Sequence, residues 1–148
     1  MYNRLSVRPV KTSDLDPILV LERASFGRDA YDRNLFAELT RKCGDLFLVA
    51  NKGKKVLGYA VTCIRGTRAE LVSIAADPRH RGRGVASALM DSTLRRLRRR
   101  KVTRFVLMVK VSNCAAVAFY EKYRFRRLRR VPGYHEDASD GFLYVKLL

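Results

Sequence analysis

One stretch near the middle of the chain constrains the fold most, because it joins an apolar strand to a long helix through a basic loop. Residues 70–76 predict the strand, which Asp77-Pro78 ends since proline cannot donate to a β ladder. The loop Arg81-Gly82-Arg83-Gly84-Val85-Ala86 follows, and apolar residues then recur at helical spacing to about Arg100. Because the first amides of a helix lack partners and carry partial positive charge, this junction predicts an anion site.

Two glycines decide how closely an anion could approach this loop. Gly82 and Gly84 have no Cβ to keep a phosphate from the backbone, and Arg81 and Arg83 add charge. A dinucleotide fingerprint would need a third glycine where Ser87 stands, and a nucleotide P-loop would need a Gly-Lys-Ser/Thr ending. Neither is present. The remaining alternative is that the glycines only make a tight turn.

The rest of the chain predicts an α/β fold, a mixed sheet with helices on both faces. The 148 residues, 47% of them hydrophobic, suit a single domain spanning 1–148. Thr12-Ser13-Asp14 supplies capping residues for a first helix that carries Leu15, Ile18, Leu19 and Glu22, and Gly53 predicts a hairpin turn. Other expected elements are strands at 5–8, 46–50, 56–64, 105–109, around 125–128 and at 142–148, and helices at 33–42 and 113–123.

The cysteines and histidines favour neither a disulfide framework nor a metal site. Cys43, Cys63 and Cys114 are odd in number and widely spaced, so we expect reduced thiols. For Cys114 we expect a small apolar packing role. His80 and His135 are too far apart in sequence to suggest a metal site, and no metal is expected.

The N-terminal residues and the hydropathy pattern bear on location. Residues 1–10 mix polar and apolar side chains and lack the charged and apolar regions of a signal peptide. No stretch approaches the roughly 18 apolar residues that span a bilayer. We therefore expect a cytoplasmic protein with no membrane partner.

Three motifs occur in order along the chain. Arg81, Gly84 and Ala86 fill the pattern Arg/Gln-x-x-Gly-x-Gly/Ala. Ile-Ala-Ala-Asp-Pro at 74–78 precedes it, and a Ser-Asn segment followed by a helix, 112–122, comes after it. Together they resemble the GNAT superfamily of acetyl-CoA-dependent acyltransferases. The resemblance implies a GNAT-like, mostly antiparallel sheet whose central strands splay apart.

Within that superfamily, the chain is most similar to the ribosomal-protein alanine N-acetyltransferases and related protein N-terminal acetyltransferases. Residues 22–26, the Ser112-Asn113 segment and residues 134–138 carry this narrower likeness. Two positions depart from the pattern. Met108 stands where the bacterial group commonly has glutamate, and Arg124 stands where members often have glycine.

The resemblance also implies where substrates bind. Acetyl-CoA would be a cosubstrate, its pantetheine arm lying between the strands at 70–76 and 105–109 and pairing with the first of them. The implied acetyl-CoA residues are Ile74, Ala76, Arg81, Gly82, Arg83, Gly84, Val85, Ala86, Ser87, Asn113 and Tyr120. The implied acceptor residues are Phe26, Tyr31, Tyr134 and His135.

Acetyl transfer to an amine needs a base for the amine and a proton for the departing thiolate. Glu70, at the start of the strand before the loop, is the first candidate base, but it could instead pair with Arg65 or Arg68. Glu136, Asp137 or an ordered water are alternatives. Tyr120 lies seven residues after Asn113, on the same helix face, and is the predicted acid. It could instead be a core tyrosine.

The formal net charge of +17 predicts attraction to polyanions. Seven of the ten residues 95–104 are basic, and five arginines lie between 124 and 130. These clusters could be solvated surface, could place the protein near RNA or the ribosome, or could bind an acidic ligand. We therefore expect an N-acetyltransferase acting on a protein N-terminus, with two alternatives. One is acetylation of a small amine or lysine side chain, and the other is a non-catalytic basic module that binds CoA and RNA.

Overall fold

Seven strands form one sheet in the order β1-β2-β3-β4-β5-β7-β6 in the computed structural model, which describes residues 4–148. The strands are β1 (Leu5–Pro9), β2 (Phe47–Lys52), β3 (Lys55–Arg65), β4 (Arg68–Ala76), β5 (Arg104–Lys110), β6 (Arg126–Val131) and β7 (Gly141–Leu147). The helices are α1 (Leu15–Phe26), α2 (Arg33–Cys43), α3 (Val85–Arg99) and α4 (Cys114–Lys122). These elements confirm the predicted fold class. Residues 1–3, where the segment weighed as a signal peptide begins, lie outside the described part.

The sheet separates two apolar cores, and this puts helices on both of its faces. On one face α1 and α2 bury Ile18 and Phe36 against Phe47 and Tyr59 of the sheet. On the other face α3 packs closely, because Gly58 lacks a side chain at the crossing. A Cβ there would lie 2.7 Å from Cγ1 of Val85 and 2.8 Å from the carbonyl oxygen of Ala75. The start of α3 is therefore held directly against the sheet.

The two central strands separate after a short paired segment. β4 and β5 are the parallel pair, and they are in register only at Arg68–Arg104, Ala69–Phe105 and Glu70–Val106. Every other neighbouring pair in the sheet is antiparallel. The remaining residues of β4 and β5 diverge, as the family resemblance implied. This divergence opens the sheet at its centre.

The start of α1 differs in one detail from the prediction. Asp14 does not cap α1 with its side chain. Its carboxylate accepts the backbone N–H of Lys11 at 2.7 Å and two hydrogen bonds from Arg8, at 2.8 and 2.9 Å. Burial raises the pKa of Asp14, but these hydrogen bonds outweigh it and hold the pKa below its usual value. Asp14 therefore ties β1 to the turn before α1.

The expectation of reduced thiols is wrong for two of the three cysteines. Cys43 ends α2 and Cys63 lies on β3, and their Cα atoms are 5.4 Å apart in a disulfide. The two cysteines are far apart in sequence but close in the fold, because α2 packs on the face of the sheet that carries Cys63. The packing role expected for Cys114 is also wrong, since that thiol is free and exposed at the start of α4.

The residue that follows α4 has the backbone conformation that accounts for the glycine often found there in the family. Arg124 follows α4 with φ of 66°, in the left-handed region that glycine favours. Its N–H donates to the carbonyl of Glu121 at 2.9 Å, which closes the helix end. The position thus needs the conformation that glycine adopts without strain.

Among residues 4–148, no helix is long and apolar enough to cross a bilayer.

Candidate active site

A cavity of about 690 Å³ lies where β4 and β5 diverge. Its walls are residues 71–76 of β4 and 107–110 of β5, with parts of α1, α3, α4 and the β6–β7 loop. This volume is typical of pockets that enclose a ligand. The backbone edges of the two strands face one another across the gap without pairing. The cavity therefore offers strand edges as well as side chains to a bound molecule.

One end of the cavity is the predicted anion loop. Arg81, Gly82 and Ala86 line it, while Gly82 and Gly84 have φ of 78° and 81°. A Cβ at either glycine would meet nothing within 4 Å, so the backbone there is open to a ligand. The first bond back into α3 is from Ala88 N to Gly84 O at 2.9 Å, which leaves the amides of residues 85–87 without a partner among residues 4–148. Open glycines and unpaired amides are the features that an anion site needs, and we call residues 81–86 the anion cradle.

Asp77 holds this loop against the end of β4. The side chain is buried and accepts the backbone N–H of Arg79 at 3.0 Å. It also pairs with the guanidinium of Arg79 at 3.3 Å. The hydrogen bonds from Arg79 lower the pKa of Asp77, so the carboxylate remains charged at neutral pH. The Asp-Pro sequence thus ends the strand and positions the loop.

The other predicted acetyl-CoA residues divide into two groups. Ile74, Ala76, Asn113 and Tyr120 line the cavity. The side chain of Asn113 also caps α4, accepting the N–H of Ala116 at 3.2 Å. The other four do not line the cavity: Arg83, Gly84, Val85 and Ser87. Val85 is 3% exposed and belongs to the core.

Tyr120 lies at the cavity wall and in the core at once. Its side chain is 7% exposed and its ring packs against Phe119 and Phe125, with centroids 5.6 and 5.7 Å away. Burial raises the pKa of Tyr120 well above its ordinary value. The hydroxyl is therefore protonated at neutral pH, and in that state it is not a base for the amine. The core and acid interpretations of this residue are compatible.

A buried carboxylate to which the sequence analysis assigned no chemical role organises another part of the cavity wall. Glu22 is 1% exposed and its Oε1 accepts hydrogen bonds from Ser73, at 2.8 Å, and from Tyr59. Burial and the charge of Glu22 raise the pKa of Tyr59, which keeps its hydroxyl a donor. Oε2 accepts the backbone N–H of Tyr31 at 3.0 Å. An acidic residue at a core-facing position of α1 was the signal that could have revealed this network.

Ser73 reaches Glu22 because β4 is bulged. Leu71 pairs with Thr62 and Ser73 with Val61, so Val72 has no partner of its own on β3. Such an extra residue shifts the alternation of side chains between the faces. Leu71 accordingly packs in the α3 core, whereas Ser73 points to α1. The bulge lies beside the cavity.

Three of the four predicted acceptor residues line the cavity, and we call the part of its wall that they form the acceptor end. Phe26, Tyr31 and His135 line it. Tyr134 does not, but it packs edge-on against His135 with centroids 5.0 Å apart. Glu70 is exposed and also lies outside the lining, although its charge contributes to raising the pKa of both Tyr31 and Tyr134, after the larger effect of burial. Glu70 thus sits near the mouth of this end.

Lys110 joins the two loops that flank the acceptor end. Its Nζ lies 2.5 Å from Asp29, after α1, and 2.8 Å from Asp137, in the β6–β7 loop. Hydrogen bonds from Lys110 and Ser139 lower the pKa of Asp137, and those to Asp137 and Asp29 raise the pKa of Lys110. We call these three residues the loop latch. Their separation in sequence hid this contact from the sequence prediction.

The comparison with known proteins agrees with this geometry. Residues 14–125 match the Acetyltransferase (GNAT) family. The chain belongs to the GNAT acetyltransferase family.

Relatives of this GNAT acetyltransferase extend over nearly its whole length. An N-alpha-acetyltransferase of Saccharolobus solfataricus is 26% identical, covering 97% of this chain and 93% of its own. The crystal structure of Ard1 from Thermoplasma volcanium superposes with a TM-score of 0.94 at 27% identity, covering 97% of each chain. A NatC complex bound to Gag peptide and CoA matches with a TM-score of 0.88 at 20% identity, over 98% of this chain and 99% of that one, which shows the shared fold.

The family and the cavity together define what this GNAT acetyltransferase does. It is an acyltransferase that moves an acetyl group to an acceptor. The cavity brings an anion cradle, a protonated tyrosine and an aromatic-lined end into one continuous space. The cavity has room for one group at the loop and a second beside the aromatic residues. Direct transfer between two bound molecules is the chemistry that this arrangement allows.

Proposed function

We propose that this GNAT acetyltransferase transfers the acetyl group of acetyl-CoA directly to the α-amine of a protein N-terminus. The observation that carries the proposal is the single cavity between β4 and β5, which runs from the anion cradle to the aromatic end. A cosubstrate with a pyrophosphate and an extended arm suits the first half. A peptide suits the second half, which is open between two loops.

The acetyl-CoA half is argued from the backbone. The pyrophosphate would accept hydrogen bonds from the free amides at the start of α3, with Arg81 adding charge. The pantetheine amides would pair with Ile74 and Ala76, because the β4 edge that faces the cavity has no strand partner beyond Glu70. The thioester would then lie near Tyr120.

The chemistry requires two proton movements. The neutral amine attacks the carbonyl carbon of the thioester, and the C–S bond breaks. Tyr120 gives its proton to the departing thiolate, and the proton that the amide nitrogen loses restores the Tyr120 hydroxyl. No covalent enzyme intermediate is needed, since both substrates share one cavity. Glu70, the base predicted from the sequence, lies at the mouth and not in the lining. We propose that the negative charge of Glu70 attracts the positively charged amine.

A protein N-terminus is favoured over other amines by the named relatives and by the shape of the site. The Saccharolobus solfataricus relative is named an N-alpha-acetyltransferase, and the NatC complex holds a peptide together with CoA. The aromatic residues Phe26 and Tyr31 line the acceptor end, which suits the first side chain of a peptide. The loop latch would close over it.

A basic surface supports the further proposal that the enzyme works close to RNA, in a cytoplasmic setting. Burial and the charges of Arg98 and Arg124 lower the pKa of Lys146, so arginines from both basic clusters face the same region. Arginine forks bind phosphates through paired hydrogen bonds. One arginine of each cluster therefore lies near Lys146, which supports a shared basic surface.

The acetylation proposal is tested with acetyl-CoA and matched peptides. Each peptide is supplied with a free N-terminus, with a blocked N-terminus and one lysine, or with both amines blocked, and the products are located by mass spectrometry. Acetylation of free N-termini alone is expected. Modification of lysine but not of the N-terminus, or tight CoA binding without turnover on any amine, would contradict the proposal.

The RNA proposal has its own measurement. Arg98→Gln with Arg124→Gln should weaken binding to a folded RNA and reduce the slope of log affinity against log salt by about two, for two lost phosphate contacts. Acetylation of a free peptide should stay unchanged, because neither residue lines the cavity. Equal RNA affinity in the variant and the unmodified protein would contradict this role for the surface.

A further inference from the structure

An unpartnered nitrogen borders the acceptor end of the cavity. Nε2 of His135 is buried and has no hydrogen-bond partner among residues 4–148, and the residue lines the cavity. Leaving a buried polar atom without a hydrogen bond is energetically unfavourable. Such an atom at a binding site is explained when a substrate group completes its hydrogen bond. The nitrogen therefore indicates a polar contact made by the acceptor.

His135 lies beside Met108, a residue of β5 whose side chain cannot ionise. A Cβ placed on Gly141 would lie 2.9 Å from Cε of Met108 and 3.3 Å from Nε2 of His135. Gly141 itself pairs with Lys110 at the end of β5. The missing side chain at Gly141 makes room for the imidazole next to Met108. A proton acceptor thus lies over β5 although Met108 cannot supply one.

The loop that carries His135 is held in place. The N–H of His135 donates to the carbonyl of Ser139 at 3.1 Å, and the N–H of Ala138 donates back to His135 at 2.9 Å. Asp137 accepts the N–H of Ser139 at 3.0 Å and pairs with Lys110 as part of the loop latch. These bonds restrict the backbone on either side of the imidazole. A catalytic group needs such a fixed position.

The other ionisable groups of the cavity lining are committed elsewhere. Glu22 accepts hydrogen bonds from three groups, and Asp29 is paired with Lys110. Tyr31 and Tyr120 stay protonated because burial raises the pKa of each. Lys110 and Arg81 are cations with no lone pair to offer. Among the described lining residues, His135 is left as the group with a free proton-accepting nitrogen.

We propose that Nε2 of His135 is the base that removes a proton from the acceptor amine, an inference that rests on the proposed function. The N–H bond of the ammonium breaks, a proton–Nε2 bond forms, and the freed electron pair attacks the thioester carbon. His135 then passes this proton to solvent. After the attack, the nitrogen loses a second proton, which restores the Tyr120 hydroxyl once Tyr120 has protonated the thiolate. The products are the amide and free CoA.

The test uses His135→Ala and His135→Gln in the full chain, with a peptide that the unmodified enzyme acetylates. We expect kcat to fall about 100-fold or more in both variants, while CoA binding, measured by calorimetry, stays unchanged and shows that each variant is folded. Added imidazole should raise the rate of His135→Ala in proportion to its concentration. His80→Ala, which removes the other histidine of the chain, should show no such rescue.

Two results would overturn the inference: a kcat within threefold of the unmodified enzyme, or a large loss that imidazole does not restore. The second would mean that His135 acts by positioning the peptide. Failure of the proposed function is distinguishable, because it concerns which amine the unmodified enzyme accepts. If that amine proves to be a lysine, the same variants and the same rescue can be measured with it.

Discussion

The backbone N–H of Tyr31 donates to Oε2 of Glu22 at 3.0 Å, across the turn that follows α1. The other carboxylate oxygen of Glu22 binds Ser73 on β4 and Tyr59 on β3. One buried side chain therefore connects the acceptor loop to the strand that forms the cavity wall. Glu22 thus links the backbone of Tyr31 to the sheet.

Replacing Glu22 tests this connection. Glu22→Ala leaves three buried donors without their acceptor, so we expect the free energy of unfolding to fall by about 2–4 kcal/mol in chemical denaturation. The KM for the acceptor should rise, because the loop with Tyr31 loses its tether. Ser73→Ala is the matched control, since it removes one bond and should cost only about 1 kcal/mol. An unchanged acceptor KM in Glu22→Ala would contradict the tether.

Opening the loop latch should affect the acceptor and not acetyl-CoA. Lys110→Met removes the cation between Asp29 and Asp137, and we expect a higher acceptor KM with the dissociation constant of CoA unchanged. Lys54→Met, at the exposed hairpin turn, controls for the loss of one charge. A change in CoA affinity alone would show that the latch serves the other half of the site.

The pH dependence of the latch follows from its two pKa shifts. The lowered pKa of Asp137 keeps its charge until the pH falls below the usual carboxylate range, and the raised pKa of Lys110 keeps its charge until the pH rises above 10.5. Neither group titrates between pH 5 and 9. Any change of acceptor KM in that range should therefore be identical in Lys110→Met and in the unmodified enzyme.

Tyr120→Phe keeps the ring that packs in the core and removes the proposed acid. We expect kcat to fall about 100-fold, with the melting temperature and CoA binding nearly unchanged. Tyr123→Phe is the matched control on the same helix, because its hydroxyl binds Asp91 at 2.8 Å, outside the cavity. Equal rates for Tyr120→Phe and the unmodified enzyme would rule out this tyrosine as the acid.

The disulfide predicts a simple thiol count. Unfolded but unreduced protein should incorporate one alkyl group, at Cys114, whereas reduction should expose all three cysteines. Mass spectrometry distinguishes the two. Closing the loop between Cys43 and Cys63 should stabilise the protein by about 3 kcal/mol, so Cys43→Ser with Cys63→Ser should unfold at a lower denaturant concentration. Three alkyl groups before reduction would contradict the bond.

Arg124→Gly should stabilise the protein, because a non-glycine residue at φ of 66° is strained. We expect the free energy of unfolding to rise by roughly 0.5–1 kcal/mol. Arg126→Gly, two residues on and inside β6, removes the same charge but should lower stability, since glycine weakens a strand. A loss of stability in both variants would show that the Arg124 side chain outweighs its backbone strain.

Local signals made most of the fold predictable. The boundaries of α3 followed from proline, glycine and helical spacing, and the long apolar strands from their composition. The anion cradle was predictable for the same reason, since a loop and the helix after it are adjacent in sequence. The splayed strands came from the family resemblance, because no local pattern at Glu70 or Val106 indicates where pairing stops.

The acceptor half was less predictable, because its contacts join distant segments. Glu70 was chosen for its place on a strand, but the pairing with Val106 keeps its position outside the cavity. Lys110 meets Asp29 and Asp137 only after three elements assemble. The disulfide was missed for the same reason. Spacing along the chain carries no information on which loops meet at a sheet opening.

The outer strand β6 has one more consequence. It forms the end of the sheet and four of its six residues are arginines, at 126, 127, 129 and 130. An exposed strand edge ordinarily invites the edge of another molecule to pair with it. Here a second copy would bring four more guanidinium groups against the first four. Repulsion between these like charges therefore disfavours the pairing of further strands at this edge of the sheet.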